Sequence, residues 1–364
     1  MVFGIFKRKQ APVVTTTVKA YDPVADALAK AAAAKAAASG ASHDTYEVRV
    51  SKVTKEADGV ISITVIDPAG HELPEWKAGA HLEIHTPSGL VRQYSLCSSP
   101  SNRLEYRVSV LREENGRGGS KELHDTDLKN KQLVVAGPRN LFQLGEHDRY
   151  VFIAGGIGVT PIRAMVEELG PDADFTVVYG GRSLDSMAFT EELIDLAGDK
   201  LTLVPQDTDG LIDLKAALEG AGAGTGVYCC GPAALISAVE KAVAEHAPEA
   251  DLHFERFEAS AEAVAERAAK AATDKPFELE LRRTGVTKTV AADQTVLDAI
   301  LKEKPDFDFS CEEGHCGSCF ATVLEGKVDH RDEVLSDDEK ANGDQMYVCV
   351  SRPAEGCEKL VLDL

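Results

Sequence analysis

Cys311-Glu312-Glu313-Gly314-His315-Cys316-Gly317-Ser318-Cys319, with Cys349 further on, is the stretch that decides how this chain is read. Four residues separate the first two cysteines and two the next pair, the plant-type [2Fe–2S] spacing. Two irons bridged by sulfide need four thiolates converging on one small volume. A tight loop offers three of them from one side, and Gly314 and Gly317 let it curl so that backbone N–H groups point at sulfur. The fourth ligand comes from elsewhere, here a strand expected over 346–350. A structural zinc site would instead favour two C-x₂-C knuckles, and only one is present. His315 is read as a loop residue and Cys357 as a plain thiol outside the ligand set.

Upstream of the cluster loop, strands are expected over 277–281 and 288–291, around a Thr284-Gly285 turn, with a helix over 296–302. Residues 259–275 read as an Ala- and Glu-rich connector. Before it, from about 147 to 258, apolar strands alternate with helical stretches, a βαβ pattern that predicts a parallel sheet. From 44 to 146 the pattern is six short alternating strands, at 45–53, 60–67, 81–85, 92–96, 106–111 and 132–136, which predicts a small antiparallel barrel. The first 43 residues are Ala-rich, with helix propensity but little large apolar surface, and are expected to be poorly ordered.

Two further regions carry binding chemistry. Arg92-Gln93-Tyr94-Ser95-Leu96 lies on a barrel strand, and Gly116-Arg117-Gly118-Gly119-Ser120 leads into a helix. Free N–H groups and the helix dipole there suit a phosphate, with Arg92 and Arg117 adding charge. Tyr94 can cover a flat ring and Ser95 can hydrogen-bond a flavin nitrogen. In the α/β region, Gly155, Gly156 and Gly158 open a loop that lets a pyrophosphate approach the backbone before Thr160 and Pro161. Cys230-Gly231-Pro232 ends another strand, where ligands of parallel sheets gather. Cys230 reads either as a neighbour of the nicotinamide or as a small buried apolar side chain.

Bulk properties narrow the function. The 364 residues carry a net charge of −21, which disfavours nucleic acid. No apolar run is long enough to span a membrane, and the basic residues Lys7, Arg8 and Lys9 follow rather than precede the first apolar ones, so a cytoplasmic protein is expected. Five of eight cysteines crowd into the last 54 residues, as in a redox or metal site rather than a disulfide framework. Residues 276–364 hold 20 acidic and 10 basic side chains, which suits docking onto a protein partner as well as plain solvation.

In combination these motifs resemble the phthalate dioxygenase reductase family, which includes the similar reductases of vanillate O-demethylases. The resemblance runs from about residue 44 to 364 and adds Phe254-Glu255-Arg256-Phe257. It implies three domains: an FMN-binding barrel (44–146), a ferredoxin-reductase-like NAD(P)H domain (147–258) and a β-grasp ferredoxin (276–364). It implies FMN, held by Arg92, Gln93, Tyr94, Ser95, Arg117, Gly118, Gly119 and Ser120, with Ser95 near the reactive nitrogen. It also implies that Thr160 and Cys230 lie by the nicotinamide, that Gly231, Pro232 and Glu255 belong to the cofactor-binding set, and that Phe257 packs against the flavin. Arg182 would meet the adenosine ribose. NADH is expected, but Ser183 stands where NADH-using relatives commonly carry an acidic residue, so with Arg182 it does not preclude the 2′-phosphate of NADPH. Four thiolates, Cys311, Cys316, Cys319 and Cys349, would hold the cluster. The implied activity is an electron relay from NADH to a terminal oxygenase, of Rieske type or alternatively a cytochrome P450.

Overall fold

A computed structural model describes residues 45–364, so the expected N-terminal extension lies outside the described residues. Six strands, β1 Tyr46–Ala57, β2 Val60–Ile66, β3 Ala80–His85, β4 Val91–Ser95, β5 Tyr106–Leu111 and β6 Gln132–Asn140, form an antiparallel sheet in the order β4-β3-β6-β1-β2-β5. A bridge between Leu96 and Val108 joins its two ends and curls it into a barrel. Alternation does the work: Val48 and Val50 of β1 are fully buried while Glu47 and Lys52 face outward.

Next come β7 Arg149–Gly155, β8 Phe175–Gly181, β9 Leu201–Pro205, β10 Thr225–Gly231 and β11 Asp251–Arg256, all parallel, in the order β11-β10-β7-β8-β9. β10 is buried at every position, as a strand covered on both faces must be. One face of this sheet shares a continuous apolar core with the barrel, including Tyr150, Phe152, Tyr179 and Tyr228. The other face packs against the helix Ala233–His246 through Ile236, Val239 and Val243. Arg107 on β5 makes a two-pronged ion pair with Glu192, 2.7 Å on each prong, and Arg163 Nε reaches the same carboxylate at 2.7 Å. These charges clamp the barrel to the parallel-sheet unit.

The last unit has β12 Phe277–Leu281, β13 Val286–Val290, β14 Phe320–Glu325, β16 Gln345–Tyr347 and β18 Lys359–Leu362, in the order β13-β12-β18-β14-β16, with a small pair formed by β15 Val328–Asp329 and β17 Arg352–Pro353. Its helix Val296–Leu301 starts on a reciprocal cap between Thr295 and Asp298 and buries Val296, Leu297 and Ile300 in a separate core.

Three details depart from expectation. Cys349 does not lie on a strand: β16 ends at Tyr347, and the ligand sits in the turn after it. The glycine loop does not run on to Thr160 and Pro161: a 3₁₀ turn at Gly156–Gly158 leads straight into the helix Val159–Leu169, which already contains both. The connector contains the helix Ala261–Ala271, anchored to the ferredoxin unit by Lys270 on Asp329 (2.8 Å) and by Asp274, just beyond it, on Arg331 (2.6 and 2.9 Å).

Candidate electron-transfer site

The cluster loop owes its shape to left-handed backbone at Glu312 (φ 57°), Gly314 (φ 73°) and Gly317 (φ 75°). A side chain on Gly314 would meet Val350 at 2.7 Å, so glycine is required twice over, by conformation and by space. Cys311, Cys319 and Cys349 are buried and Cys316 is partly exposed. The four thiols converge: Cys311 meets Cys316 and Cys349, and Cys349 meets Cys319. Hydrogen bonding with Cys316 first, then Cys349, draws the Cys311 thiol down, and hydrogen bonding with Cys311 first, then Cys319, pushes Cys349 up. Backbone N–H groups already face sulfur, Glu313 N at 3.2 Å from Cys311 Sγ and Cys311 N at 3.5 Å from Cys316 Sγ. Four sulfurs, no carboxylate and amide donors around them fit an iron–sulfur cluster.

Arg92, Gln93, Tyr94 and Ser95 run along β4 at the mouth of the barrel. Arg92 lies across Gly119, where a Cβ would come within 2.8 Å of its side chain, and donates to the Arg117 carbonyl at 3.2 Å. Gly118 takes φ 88° and begins a helix, Gly119–Asp125, that no side chain caps. Its first amides, at Gly119 and Ser120, are therefore open to a phosphate. Burial pushes the Tyr94 hydroxyl up to about 12, with Arg92 opposing, so it stays neutral. Arg117 reaches the other way from what its motif suggests. Its guanidinium donates to the Cys311 carbonyl at 2.7 Å and lies 3.4 Å from Glu313, on the cluster loop. Gln93 also points its side chain to that loop, at Ser318.

The glycine loop after β7 has two jobs. Gly158 is pressed against β10, where a Cβ would come within 2.2 Å of the Cys230 carbonyl oxygen. Gly156, at φ 53°, faces open space and admits a ligand. Gly155 packs against Leu235, Pro232 and Gly231. Thr160 is buried and donates to the Ile157 carbonyl at 2.9 Å, bracing the loop. The Cys230 thiol is fully buried and pushed well above its ordinary range by that burial. Arg182 is exposed on the cleft rim, while the Ser183 amide is tied to Ser186 at 3.1 Å. Ser95 donates to Glu255 at 3.4 Å, and surrounding protein pushes that carboxyl up to about 8, with Ser95 opposing. Phe257, beyond β11, is part-exposed over the same space.

One cleft of about 1620 Å³ joins these parts. Its walls include Arg92–Ser95 of the barrel, the loop at Gly155–Gly158, Glu255 and Phe257, and Cys311 and Cys316 of the cluster loop. Sequence reasoning missed Glu83, Ser318 and Glu192. Ser318 sits inside the cysteine motif and was legible as a neighbour of sulfur; the other two act through folded contacts with no local signal.

A four-thiolate site with the plant-type [2Fe–2S] spacing on a ferredoxin fold, beside a barrel and a parallel sheet that share one cleft, defines an oxidoreductase that moves electrons. The 2Fe-2S iron-sulfur cluster binding domain model matches residues 279–354, and an N-terminal domain model of dimethylamine monooxygenase subunit DmmA-like proteins matches residues 138–251. The chain is 40% identical over 325 residues to a putative toluene-4-sulfonate monooxygenase system reductase subunit, TsaB2, of Comamonas testosteroni, covering 87% of this chain and 98% of that one. It superposes on phthalate dioxygenase reductase, described as a modular structure for electron transfer from pyridine nucleotides to [2Fe–2S], with TM-score 0.66 and 34% identity over 88% of this chain and 98% of that one. A type IV self-sufficient cytochrome P450 monooxygenase matches with TM-score 0.76 and 39% identity over 88% of this chain but 41% of its own. The chain belongs to the phthalate dioxygenase reductase family.

Proposed function

We propose that the protein is the reductase component of a two-protein oxygenase system, passing electrons from NADH through FMN and a [2Fe–2S] cluster to a Rieske-type oxygenase. The single observation that carries this reading is the shared cleft: flavin strand, dinucleotide loop and cluster loop line one volume, so no long gap separates the expected redox centres. In this reading residues 44–146 hold the flavin, 147–258 the dinucleotide and 276–364 the cluster, with 259–275 between them. The bound flavin supplies the conversion of a two-electron hydride into single electrons, and the protein positions and tunes it.

The chain's own residues divide that work. Open amides at Gly119 and Ser120, with Arg92 across them, bind the flavin phosphate. Tyr94 covers the ring, and Ser95 places its hydroxyl at the reactive edge. Gly156 admits the pyrophosphate, Arg182 meets the adenosine end and Phe257 covers the flavin until the nicotinamide arrives. Cys311, Cys316, Cys319 and Cys349 hold the irons. With Ser183 after Arg182, NADH is favoured over NADPH only modestly. The protein works in the cytoplasm, where clustered thiols stay reduced.

The acidic ferredoxin unit supports docking onto a basic face of a separate oxygenase. The likeness to a self-sufficient P450 supports a P450 acceptor as a second reading. Mixing the reductase and NADH with a Rieske oxygenase or a P450 from the same genome, and following substrate turnover, separates them. Turnover with the Rieske protein alone is expected; turnover with the P450 alone overturns the first reading.

A further inference from the structure

Gln93 stands on β4 among the flavin-side residues, yet its side chain belongs to the cluster. The amide nitrogen donates to Glu83 Oε1 at 3.2 Å and to Ser318 Oγ at 3.0 Å. Those two bonds use both hydrogens of the amide. Glu83 faces Gln93 across the β3–β4 ladder, is 2% exposed and is paired with Arg139 at 3.5 Å. A carboxylate in that position accepts, so it decides which end of the amide looks at Ser318. Ser318 Oγ accepts a hydrogen bond from Gln93, which leaves its own O–H free to donate. Cys316 Sγ lies 3.5 Å away. As an iron ligand that sulfur carries no proton and can only accept.

We propose that Glu83, Gln93 and Ser318 form a hydrogen-bond relay through which the barrel sets the reduction potential of the cluster. The three are positioning residues: Glu83 orients Gln93, and Gln93 aims the Ser318 hydroxyl at the Cys316 sulfur. Reduction adds one negative charge to the cluster, and much of it spreads onto the thiolates. A donated O–H stabilises that charge, so the relay raises the potential and draws the electron from flavin to cluster. Gln93 reaches Ser318 only while barrel and ferredoxin unit touch, so the tuning belongs to the docked arrangement. The inference rests on the reading of the four cysteines as cluster ligands.

The test is an anaerobic spectroelectrochemical titration of the full-length, cofactor-loaded protein, with electron paramagnetic resonance of the reduced cluster and iron and flavin contents measured alongside. Ser318→Ala is expected to lower the cluster midpoint enough to shift the flavin–cluster electron partition up to about tenfold, about 59 mV for one electron. Gln93→Leu shifts it in the same direction by a smaller factor, Ser318→Thr restores the wild-type value, and the Gln93→Leu/Ser318→Ala pair matches Ser318→Ala alone. Midpoints equal to wild type in all four variants, or single shifts that simply add in the pair, overturn the relay. Gln93→Leu lies outside the cluster loop and reads the relay even where Ser318→Ala loses iron. Wild-type protein without iron, or not reduced by NADH, defeats the cluster reading and the relay with it; wild-type protein that passes both while the variants leave the midpoint unmoved defeats the relay alone.

Discussion

At Gly158 there is no room for even a methyl group, since a Cβ would sit 2.2 Å from the Cys230 carbonyl oxygen. Gly158→Ala is expected to push the dinucleotide loop off β10 and destabilise the fold by about 1–3 kcal/mol, read by chemical denaturation. His81 is a second residue whose surroundings set its behaviour. It is 4% exposed in the barrel wall, and burial first, then Arg139, pushes its imidazole from about 6.5 down to about 4. The unfolded chain therefore binds a proton that the folded one refuses between those values. Stability from this site is complete above about pH 6.5 and is lost as the pH falls toward 4, by about 3 kcal/mol in all. His81→Gln should flatten that acid-side loss in denaturation curves taken from pH 7 to 4; an unchanged slope contradicts the assignment. At the cluster, Cys316→Ser should abolish or strongly deplete bound iron while leaving bound flavin near wild type, as measured by metal and flavin content.

Among the elements, the pairing of Arg107 on β5 and Arg163 with one carboxylate, Glu192, ties two folding units together. Glu192→Ala leaves two guanidinium groups facing each other across a partly buried seam. A loss of about 1.5–3 kcal/mol is expected, the scale of hydrogen bonds to charged groups, with the barrel and nucleotide units losing cooperativity in calorimetry. This clamp also marks the limit of what the chain discloses in one dimension. Local patterns were readable: alternation gave the barrel strands, apolar runs between helical stretches gave the parallel sheet, and spacing alone singled out the four cysteines. Contacts across units were not. Nothing near Arg117 in sequence says that its guanidinium turns to the Cys311 carbonyl, or that Gln93 meets Ser318 in another unit. Residues 346–350 are apolar and read as a strand through Cys349, but the ladder with β14 ends at Tyr347, where the chain turns to present the sulfur. The connector's helix escaped notice because its holding charges, Lys270 and Asp274, pair with residues about 60 positions away.

At the scale of the whole molecule, three units converge so that flavin strand, dinucleotide loop and cluster loop face one cleft. The central claim is that electrons entering from reduced pyridine nucleotide reach thiolate-held iron within this one chain. Anaerobic addition of NADH to the cofactor-loaded protein, followed by visible absorption and electron paramagnetic resonance, tests it most directly. The account predicts bleaching of the flavin and cluster bands, together with the signal of a reduced [2Fe–2S] centre. Zinc in place of iron, or a spectrum that NADH leaves unchanged, would contradict it.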